Sequence, residues 1–167
     1  MNRRSIFSIS AVAVLGFALM AESAVGAPKF NKRQLVGNWT VVSITPSSPT
    51  AKPFGPNDGV IVIGPNGRFI EVLAAADLPK FASNNRDMGT AEENQAVIHG
   101  NISYFGTYSF DPADGTVTLH VERSSFPNWT GTDQKRVITS LSGTELKWHN
   151  PAASTGGTAE SVFKRGK

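Results

Sequence analysis

The chain of 167 residues contains no cysteine. Disulfide bonds, thiolate metal sites and cysteine nucleophiles are therefore excluded. Long runs of lysine or arginine are also absent and the formal net charge is only +3, so the sequence lacks the electrostatic footprint of a nucleic-acid-binding protein. The sequence has neither a Gly-x-Ser-x-Gly motif nor a glycine-rich phosphate-binding motif before a helix, which leaves serine hydrolase and nucleotide-binding functions without support.

Metal-binding patterns are missing as well. The histidines are His99, His120 and His149, and no two of them are spaced as His-x-His or His-x-x-x-His. Such spacings bring two imidazoles to one side of a strand or helix. We therefore expect neither a metal site nor a cofactor.

The N-terminal segment has the features of an export signal. A short basic region around Arg3 and Arg4 precedes an apolar run at residues 6–20, and small residues follow up to Ala27. Val25 and Ala27 fit positions −3 and −1 of a cleavage site. A membrane anchor needs about 20 apolar residues, more than this run offers. The sequence thus predicts a signal peptide at residues 1–27 and a periplasmic or extracellular domain at residues 28–167.

The adjacent arginines leave the export route open. Residues 2–7, Asn-Arg-Arg-Ser-Ile-Phe, fit the polar-Arg-Arg-x-apolar-apolar pattern of twin-arginine signals. Two basic residues that happen to be neighbours would serve the general secretory route equally well.

Residues 28–167 consist mainly of short apolar segments separated by turn-forming residues. Eight such segments lie at 35–44, 59–63, 68–73, 102–110, 116–122, 135–141, 145–149 and 159–165. Short connections favour antiparallel neighbours. Eight antiparallel strands best avoid exposed edges by closing into a barrel, which holds side chains or one small ligand. A two-sheet sandwich is the alternative.

One segment between the third and fourth strands departs from this pattern. Thr90 followed by Glu93 is a capping box, and Gly100 ends the helix that it starts. This short helix interrupts the strands as a lid or plug would. Phe81 and Arg86 precede it and are candidates for ligand contact at the barrel mouth, although a mobile surface loop is an equal alternative.

The first strand opens with Gly37-Asn38-Trp39. Trp39 combines a large apolar ring system with an indole N–H that needs a partner when buried. Gly37 leaves room for a close approach by backbone or side chain. Both residues are assigned structural roles.

Six sequence blocks together identify a family: Leu35-Val36-Gly37-x-Trp39, Pro53-Phe54-Gly55-Pro56, Phe81-Ala82-Ser83, Gly89-Thr90-x-Glu92-Glu93, Tyr104-Phe105-Gly106-Thr107-Tyr108, and Val117 through His120-Val121-Glu122 to Phe126-Pro127-Asn128-Trp129-x-Gly131. In these blocks the chain resembles the lipocalin-like domain family of bacteria and fungi. The resemblance implies a calycin-type antiparallel barrel with an internal cavity. In lipocalins the tryptophan of Gly-x-Trp packs at the closed end against a basic residue of the last strand. By that analogy Trp39 would meet Lys164 or Arg165.

His120 and Glu122 share one side of the fifth strand, and three apolar residues take the other. A histidine beside a carboxylate can act as a proton-transfer pair. In one interpretation this polar side faces inward, and His120, Glu122, Tyr104 and Tyr108 line one cavity wall. In the other, the apolar side faces the core and both polar residues are solvated outside.

The aromatic residues admit two roles. Tyr104, Tyr108 and Phe110 fall on one face of the fourth strand, which makes them either core residues or the wall of a largely apolar pocket. Trp129 lies in a proline-containing corner and is either structural or part of a pocket rim.

These observations support two functions. The first is an exported barrel that binds a small, mostly apolar molecule. Its candidate ligand-binding residues are Tyr104, Tyr108, His120, Glu122, Trp129, Phe81 and Arg86. The second is a cofactor-independent isomerase, cyclase or dehydratase with His120, Glu122 and Tyr108 as acid and base. A structural domain without a pocket is a third option. We expect no nucleic-acid partner and no stable membrane anchor after cleavage.

Overall fold

The computed structural model describes residues 30–166, and the predicted signal peptide at residues 1–27 lies outside them. The strands are β1 (Gly37–Pro46), β2 (Gly59–Ile63), β3 (Arg68–Ala74), β4 (Asn101–Asp111), β5 (Thr116–Ser124), β6 (Asp133–Leu141), β7 (Glu145–Asn150) and β8 (Ala159–Arg165). Each strand pairs antiparallel with the next, and β8 pairs with β1. The predicted closed barrel of eight antiparallel strands is confirmed, and the sandwich alternative is wrong.

The start of the barrel differs slightly from the prediction. A short helix, α1 (Lys32–Leu35), includes the first residue of the segment predicted at 35–44, and β1 begins at Gly37. The side chain of Asn31 accepts a hydrogen bond from the Arg33 N–H at 2.9 Å and caps this helix. Asparagine is among the preferred N-cap residues because its short side chain reaches the free N–H groups of the first turn.

The predicted helix between the third and fourth strands is present as α2 (Ala91–Gly100). Thr90 Oγ1 accepts from the Glu93 N–H at 3.2 Å, and Glu93 Oε2 accepts from the Thr90 N–H at 2.8 Å, so the capping box is complete. Most of α2 is exposed, with Gly100 buried at its end. Among residues 30–166 no helix has the length and apolar character needed to cross a membrane.

The two ends of the barrel differ in their connections. At one end, called the closed end, tight turns at residues 64–67, 112–115 and 142–144 join the strands, and α1 lies beside them. At the other end, called the mouth, the connections are longer and span residues 47–58, 75–100, 125–132 and 151–158. Cavities and ligand sites of barrels favour such mouths.

The closed end is held by Trp39 and Arg165. The Trp39 indole N–H donates to the Leu35 carbonyl at 2.8 Å, and the Arg165 guanidinium carbon stands 4.1 Å from the centre of the Trp39 ring. Arg165 also donates to the Val36 carbonyl at 3.0 Å. Of the two basic residues that the resemblance places near Trp39, it is Arg165 that lies there, while Lys164 is exposed. Arg165 is partly buried, and a cation–π contact of this kind contributes about 1 kcal/mol.

Candidate functional site

A cavity lies inside the barrel near the mouth. The volume open to the centre of a water-sized molecule is about 70 Å³, whereas a single water needs roughly 10–15 Å³ by the same measure. Apolar and aromatic side chains form much of the wall, namely Ile44, Phe54, Leu73, Ile102, Trp129 and Trp148. Lys52, Ser154 and Thr155 line it from the mouth loops. The cavity is therefore large enough for a small organic group.

Three linked polar side chains lie within this wall: Glu71, Tyr104 and Arg136, called the polar triad here. The Tyr104 hydroxyl donates to Glu71 Oε2 and accepts from Arg136 Nη2 at 3.0 Å. Arg136 Nη1 donates to Asn150 Oδ1 at 3.0 Å. Glu71 and Arg136 are each only 3% exposed. The triad thus holds a carboxyl group and a guanidinium inside the barrel, joined through one hydroxyl.

Strand periodicity explains how the chain brings the triad together. Side chains alternate between the two faces of a strand, so Glu71 points inward together with its buried neighbours Phe69 and Leu73. Glu71 stands directly opposite Tyr104 in the β3–β4 register, which places their side chains within hydrogen-bonding reach. Arg136 points inward from β6 and crosses the interior to meet them.

The environment shifts the acid–base behaviour of the triad. Burial raises the pKa of the Glu71 carboxyl, because the charged form loses its hydration, while the Arg136 guanidinium and the Tyr104 hydrogen bond oppose that change. Burial likewise raises the pKa of Tyr104 far above its usual range. Tyr104 therefore remains protonated and serves as a hydrogen-bond bridge.

One oxygen of Glu71 is available to a ligand. Oε2 is occupied by the Tyr104 hydroxyl, and within the described residues no donor reaches Oε1. Among residues 30–166, every fully buried side-chain nitrogen or oxygen has a hydrogen-bond partner, so an oxygen without a partner cannot be fully buried. Oε1 is consequently not sealed off, and because Glu71 lines the cavity, this oxygen opens on it.

Trp129 closes one side of the site. A single turn of 3-10 helix at Pro127–Trp129 carries it, and its ring meets the Tyr104 ring edge-on at a centroid distance of 5.1 Å. The Arg136 guanidinium carbon lies 5.7 Å from the centre of the same ring. The proline-containing corner thus sets an aromatic wall against the triad, and Trp129 lies at the cavity as the pocket-rim alternative requires.

The other predicted ligand-binding aromatics are distributed differently. Tyr104 lines the cavity. Tyr108 is buried in the barrel but near the closed end, where its hydroxyl donates to the Gly64 carbonyl at 3.0 Å. Phe81 and Arg86 line a separate shallow depression on the surface. Within the described residues, the cavity wall includes none of residues 75–100, the segment that contains α2. The position of this segment therefore does not support its interpretation as a lid.

His120 and Glu122 lie on the outside of the barrel, with side chains 41% and 44% exposed. Glu122 accepts two hydrogen bonds from the Arg68 guanidinium, at 2.7 and 3.0 Å. The interpretation in which His120 and Glu122 line the cavity is wrong, because Val117, Leu119 and Val121 are the buried residues of β5. Burial of these apolar side chains forces the intervening polar ones outward.

His120 nevertheless takes part in an ordered chain of hydrogen bonds. Its Nδ1 lies 2.7 Å from Asp133 Oδ1 and its Nε2 lies 3.1 Å from Ser109 Oγ. In serine hydrolases, too, a serine contacts a histidine that in turn contacts a carboxylate, and the three act as nucleophile, base and orienting group. Acyl transfer also needs free N–H donors for the developing oxyanion. Here the surrounding strands β4, β5 and β6 pair with one another, so their N–H groups are engaged in the sheet.

Sequence reasoning missed Glu71, Arg136 and Asn150. The sequence pattern around Glu71 was a weak signal. Ile70 and Val72 on one face of the strand are as hydrophobic as the neighbours of Glu71 on the other face, so the pattern did not show which face is buried. Among residues 30–166 no group of three or more histidine, aspartate or glutamate side chains is arranged to hold a metal ion. The polar groups that line the cavity are instead one carboxyl group, one guanidinium, one ammonium, one amide and several hydroxyls.

A closed barrel of eight antiparallel strands, clamped at one end by a tryptophan and an arginine and hollow near the other, defines a lipocalin-like β-barrel. The lipocalin-like domain profile matches residues 36–162. The chain belongs to this family, as its sequence motifs indicated.

Several solved structures are similar to the chain. A lipocalin-like protein from Bacteroides uniformis is 13% identical, with a TM-score of 0.46 over 80% of this chain and 99% of that one. The bovine odorant binding protein, as a deswapped triple mutant, is 20% identical with a TM-score of 0.40 over 80% and 74% of the two chains. The same bovine protein in complex with a selenium-containing odorant is 19% identical, with a TM-score of 0.41 over 85% and 76%. No curated protein matches the chain.

Proposed function

We propose that the protein binds a small, mostly apolar molecule in the cavity near the barrel mouth. The observation that carries this proposal is the polar triad set within an otherwise largely apolar and aromatic wall. Small-molecule sites have this composition, in which apolar surface supplies affinity and a few placed polar groups fix orientation. Membership of the lipocalin-like domain family agrees with it.

The shape of the barrel supports entry from the mouth. The closed end is packed, with Trp39, Phe69 and Phe163 almost completely buried. The cavity instead reaches loop residues Lys52 and Thr155, and Thr155 is exposed. A ligand would therefore pass between the loops at residues 47–58 and 151–158 and place its polar group against the triad.

Tryptophan fluorescence offers a direct test of binding. Trp129 and Trp148 line the cavity, so a ligand there changes their emission. We would titrate the purified protein with the neutral fluorophore N-phenyl-1-naphthylamine and with short alcohols, and would examine protein from its own host by native mass spectrometry for a molecule already bound. A saturable change with one-to-one stoichiometry supports the proposal, and failure of every compound to bind contradicts it.

Two neighbouring alanines provide a matched pair of variants. Ala153 lines the cavity, whereas Ala152 on the same loop is exposed and does not. We expect Ala153→Phe to weaken binding about tenfold, because the added ring occupies ligand space, and Ala152→Phe to change it less than about twofold. The outer-face variants His120→Ala and Glu122→Ala should also leave affinity unchanged. Equal weakening by both alanine variants would place the ligand elsewhere.

We also propose that the protein is exported to the periplasm or the extracellular space. The proposal is supported by the basic, apolar and small-residue pattern of residues 1–27. Mass spectrometry of the exported protein should find a mature chain that begins at Pro28. Replacement of Arg3 and Arg4 by lysine should block export if the twin-arginine route is used and should leave it intact if the general secretory route is used. An uncleaved chain retained in the cytoplasm would contradict export.

A further inference from the structure

We propose that the cavity selects a neutral ligand whose hydroxyl group hydrogen-bonds to Glu71 Oε1, and that it discriminates against carboxylates and ammonium ions of the same size. This inference rests on the proposed ligand-binding function and deepens it. The starting point is the geometry of Glu71: one carboxyl oxygen is held by Tyr104, and the other opens on the cavity.

When Glu71 is ionised, the charges around the cavity are balanced without a ligand. Arg136 carries a permanent positive charge, since a guanidinium does not lose its proton in proteins. Its Nη2 donates to the Tyr104 hydroxyl, which donates in turn to Glu71, so the ionised form of Glu71 supplies the opposite charge through one bridging group. At the mouth, Lys52 is paired with Asp77 at 2.5 Å. Each charged side chain that lines the cavity in the described residues therefore has an oppositely charged group close by.

A charged ligand would disturb this balance. A ligand carboxylate would place a second negative group beside Glu71, where two carboxylates would share one guanidinium and one of them would have to take up a proton. A ligand ammonium would pair with Glu71, so that two buried cations, the ammonium and Arg136, would share one carboxylate, which is strongly unfavourable. Either ligand also loses its own hydration on entering a largely apolar cavity.

A hydroxyl avoids both difficulties. It donates a hydrogen bond to Oε1 when Glu71 is ionised, and it accepts one when Glu71 is protonated, because a hydroxyl is both donor and acceptor. Its transfer into the cavity brings no net charge. An ether of the same size offers only an acceptor, so it leaves the ionised Oε1 without a partner. Sites built around a buried polar group reject analogues that leave the group unpaired.

A series of compounds with one chain length tests the proposal on the wild-type protein. We would measure the binding of 1-hexanol, methyl pentyl ether, hexanoate and hexylammonium by calorimetry and tryptophan fluorescence at pH 7. We expect 1-hexanol to bind about tenfold more tightly than each of the other three, a difference of about 1.4 kcal/mol, which is what one hydrogen bond contributes. Hexanoate or hexylammonium binding as tightly as 1-hexanol would overturn the inference.

Glu71→Gln provides a second measurement. The amide preserves the size of the side chain but removes its charge, so Arg136 then lacks a counter-charge inside the cavity. We expect the preference to invert, with hexanoate gaining affinity and 1-hexanol losing it, which a purely structural role of Glu71 would not produce. Glu122→Gln, on the outer face, is the matched control and should keep the wild-type order.

The outcomes separate this inference from the proposed function. If none of the hexyl compounds and no N-phenyl-1-naphthylamine binds, the cavity-binding function itself fails. If compounds bind but the wild-type order is unrelated to charge, or the order is the same in wild-type and Glu71→Gln protein, only the hydroxyl selectivity fails. The wild-type series decides the question even if Glu71→Gln does not fold.

Discussion

Arg165 and Gly37 fit together at the closed end because residue 37 has no side chain. The Arg165 guanidinium occupies the position where a Cβ on residue 37 would stand. Gly37 also has a φ of 144°, which side-chain-bearing residues rarely adopt. The Gly-x-Trp motif thus supports the contact between Trp39 and Arg165 in two ways: the tryptophan provides the ring on which Arg165 stacks, and the glycine leaves space for its guanidinium.

Gly37→Ala should destabilise the protein by about 1–3 kcal/mol, the cost of a residue held in an unfavourable backbone conformation, with displacement of Arg165 adding to it. The free energy of unfolding from urea titration measures the effect. Gly143→Ala is the control, because a Cβ at Gly143 meets open space. Equal stability of the two variants would show that Arg165 and the backbone adjust freely.

Gly106→Ala should be destabilising for a different reason. Gly106 lies at an irregularity in the β4–β5 register, and a Cβ there would collide with the backbone carbonyl of His120. A backbone atom in a paired strand cannot move aside as a flexible side chain can, so we expect a loss of about 3 kcal/mol, at the upper end for overpacking. Urea titration against the same Gly143→Ala control measures it, and a loss below about 0.5 kcal/mol contradicts the expectation.

Glu93→Ala should loosen the segment before α2 with little effect on the barrel. Glu93 accepts hydrogen bonds from the N–H groups of Thr90 and Ala82, each at 2.8 Å, so it ties the loop to the helix start. Loss of a cap costs about 1 kcal/mol, and we expect amide exchange at residues 82–94 to accelerate about fivefold. Hydrogen-exchange mass spectrometry measures this, with exposed Gln95→Ala as the control. Unchanged amide exchange at residues 82–94 would show that Glu93 does not hold this loop to the start of the helix.

The pH dependence of stability should report Glu71. Burial raises its pKa in the folded state above the usual value of 4.5 for a glutamate side chain. A carboxyl with a raised pKa stabilises the fold fully at pH below its unfolded-state pKa, and this contribution is lost as the pH rises through the folded-state pKa. The free energy of unfolding of the wild type minus that of Glu71→Gln should therefore fall as pH increases above about 4.5.

Urea titrations of both proteins across the acidic and neutral range give this difference directly. Thr118→Ala is the control. It removes a side chain from the β5 face that points away from the core, and neither threonine nor alanine titrates. Its free energy of unfolding should therefore differ from that of the wild type by the same amount at every pH. A difference between wild type and Glu71→Gln that rises with pH would show that the Arg136 guanidinium outweighs burial.

Much of the fold could be predicted because local signals and strand periodicity agreed. Thr90 and Glu93 mark the start of α2 by a capping box whose two hydrogen bonds are both formed. In β5 the apolar residues Leu119 and Val121 alternate with His120, and the buried side follows this alternation. The short helix α1 was not predicted, because four residues are too few to show helical periodicity.

The site could be predicted only in part, because it is assembled from strands distant in sequence. Tyr104 and Trp129 were proposed from their aromatic character and line the cavity. Arg136 meets Tyr104 across 32 positions of the chain, and no local pattern specifies such a contact. In β3 both faces are apolar apart from Glu71 and Arg68, so periodicity did not show which face the core would take.

The arrangement of the mouth has a practical consequence. Thr155 is exposed yet lines the cavity, and the chain has no cysteine of its own. Thr155→Cys would thus introduce a single thiol at the entrance, where an environment-sensitive dye could be attached without modifying any other position. Such a conjugate would turn occupancy of the barrel into an optical signal and would allow compound libraries to be screened in solution.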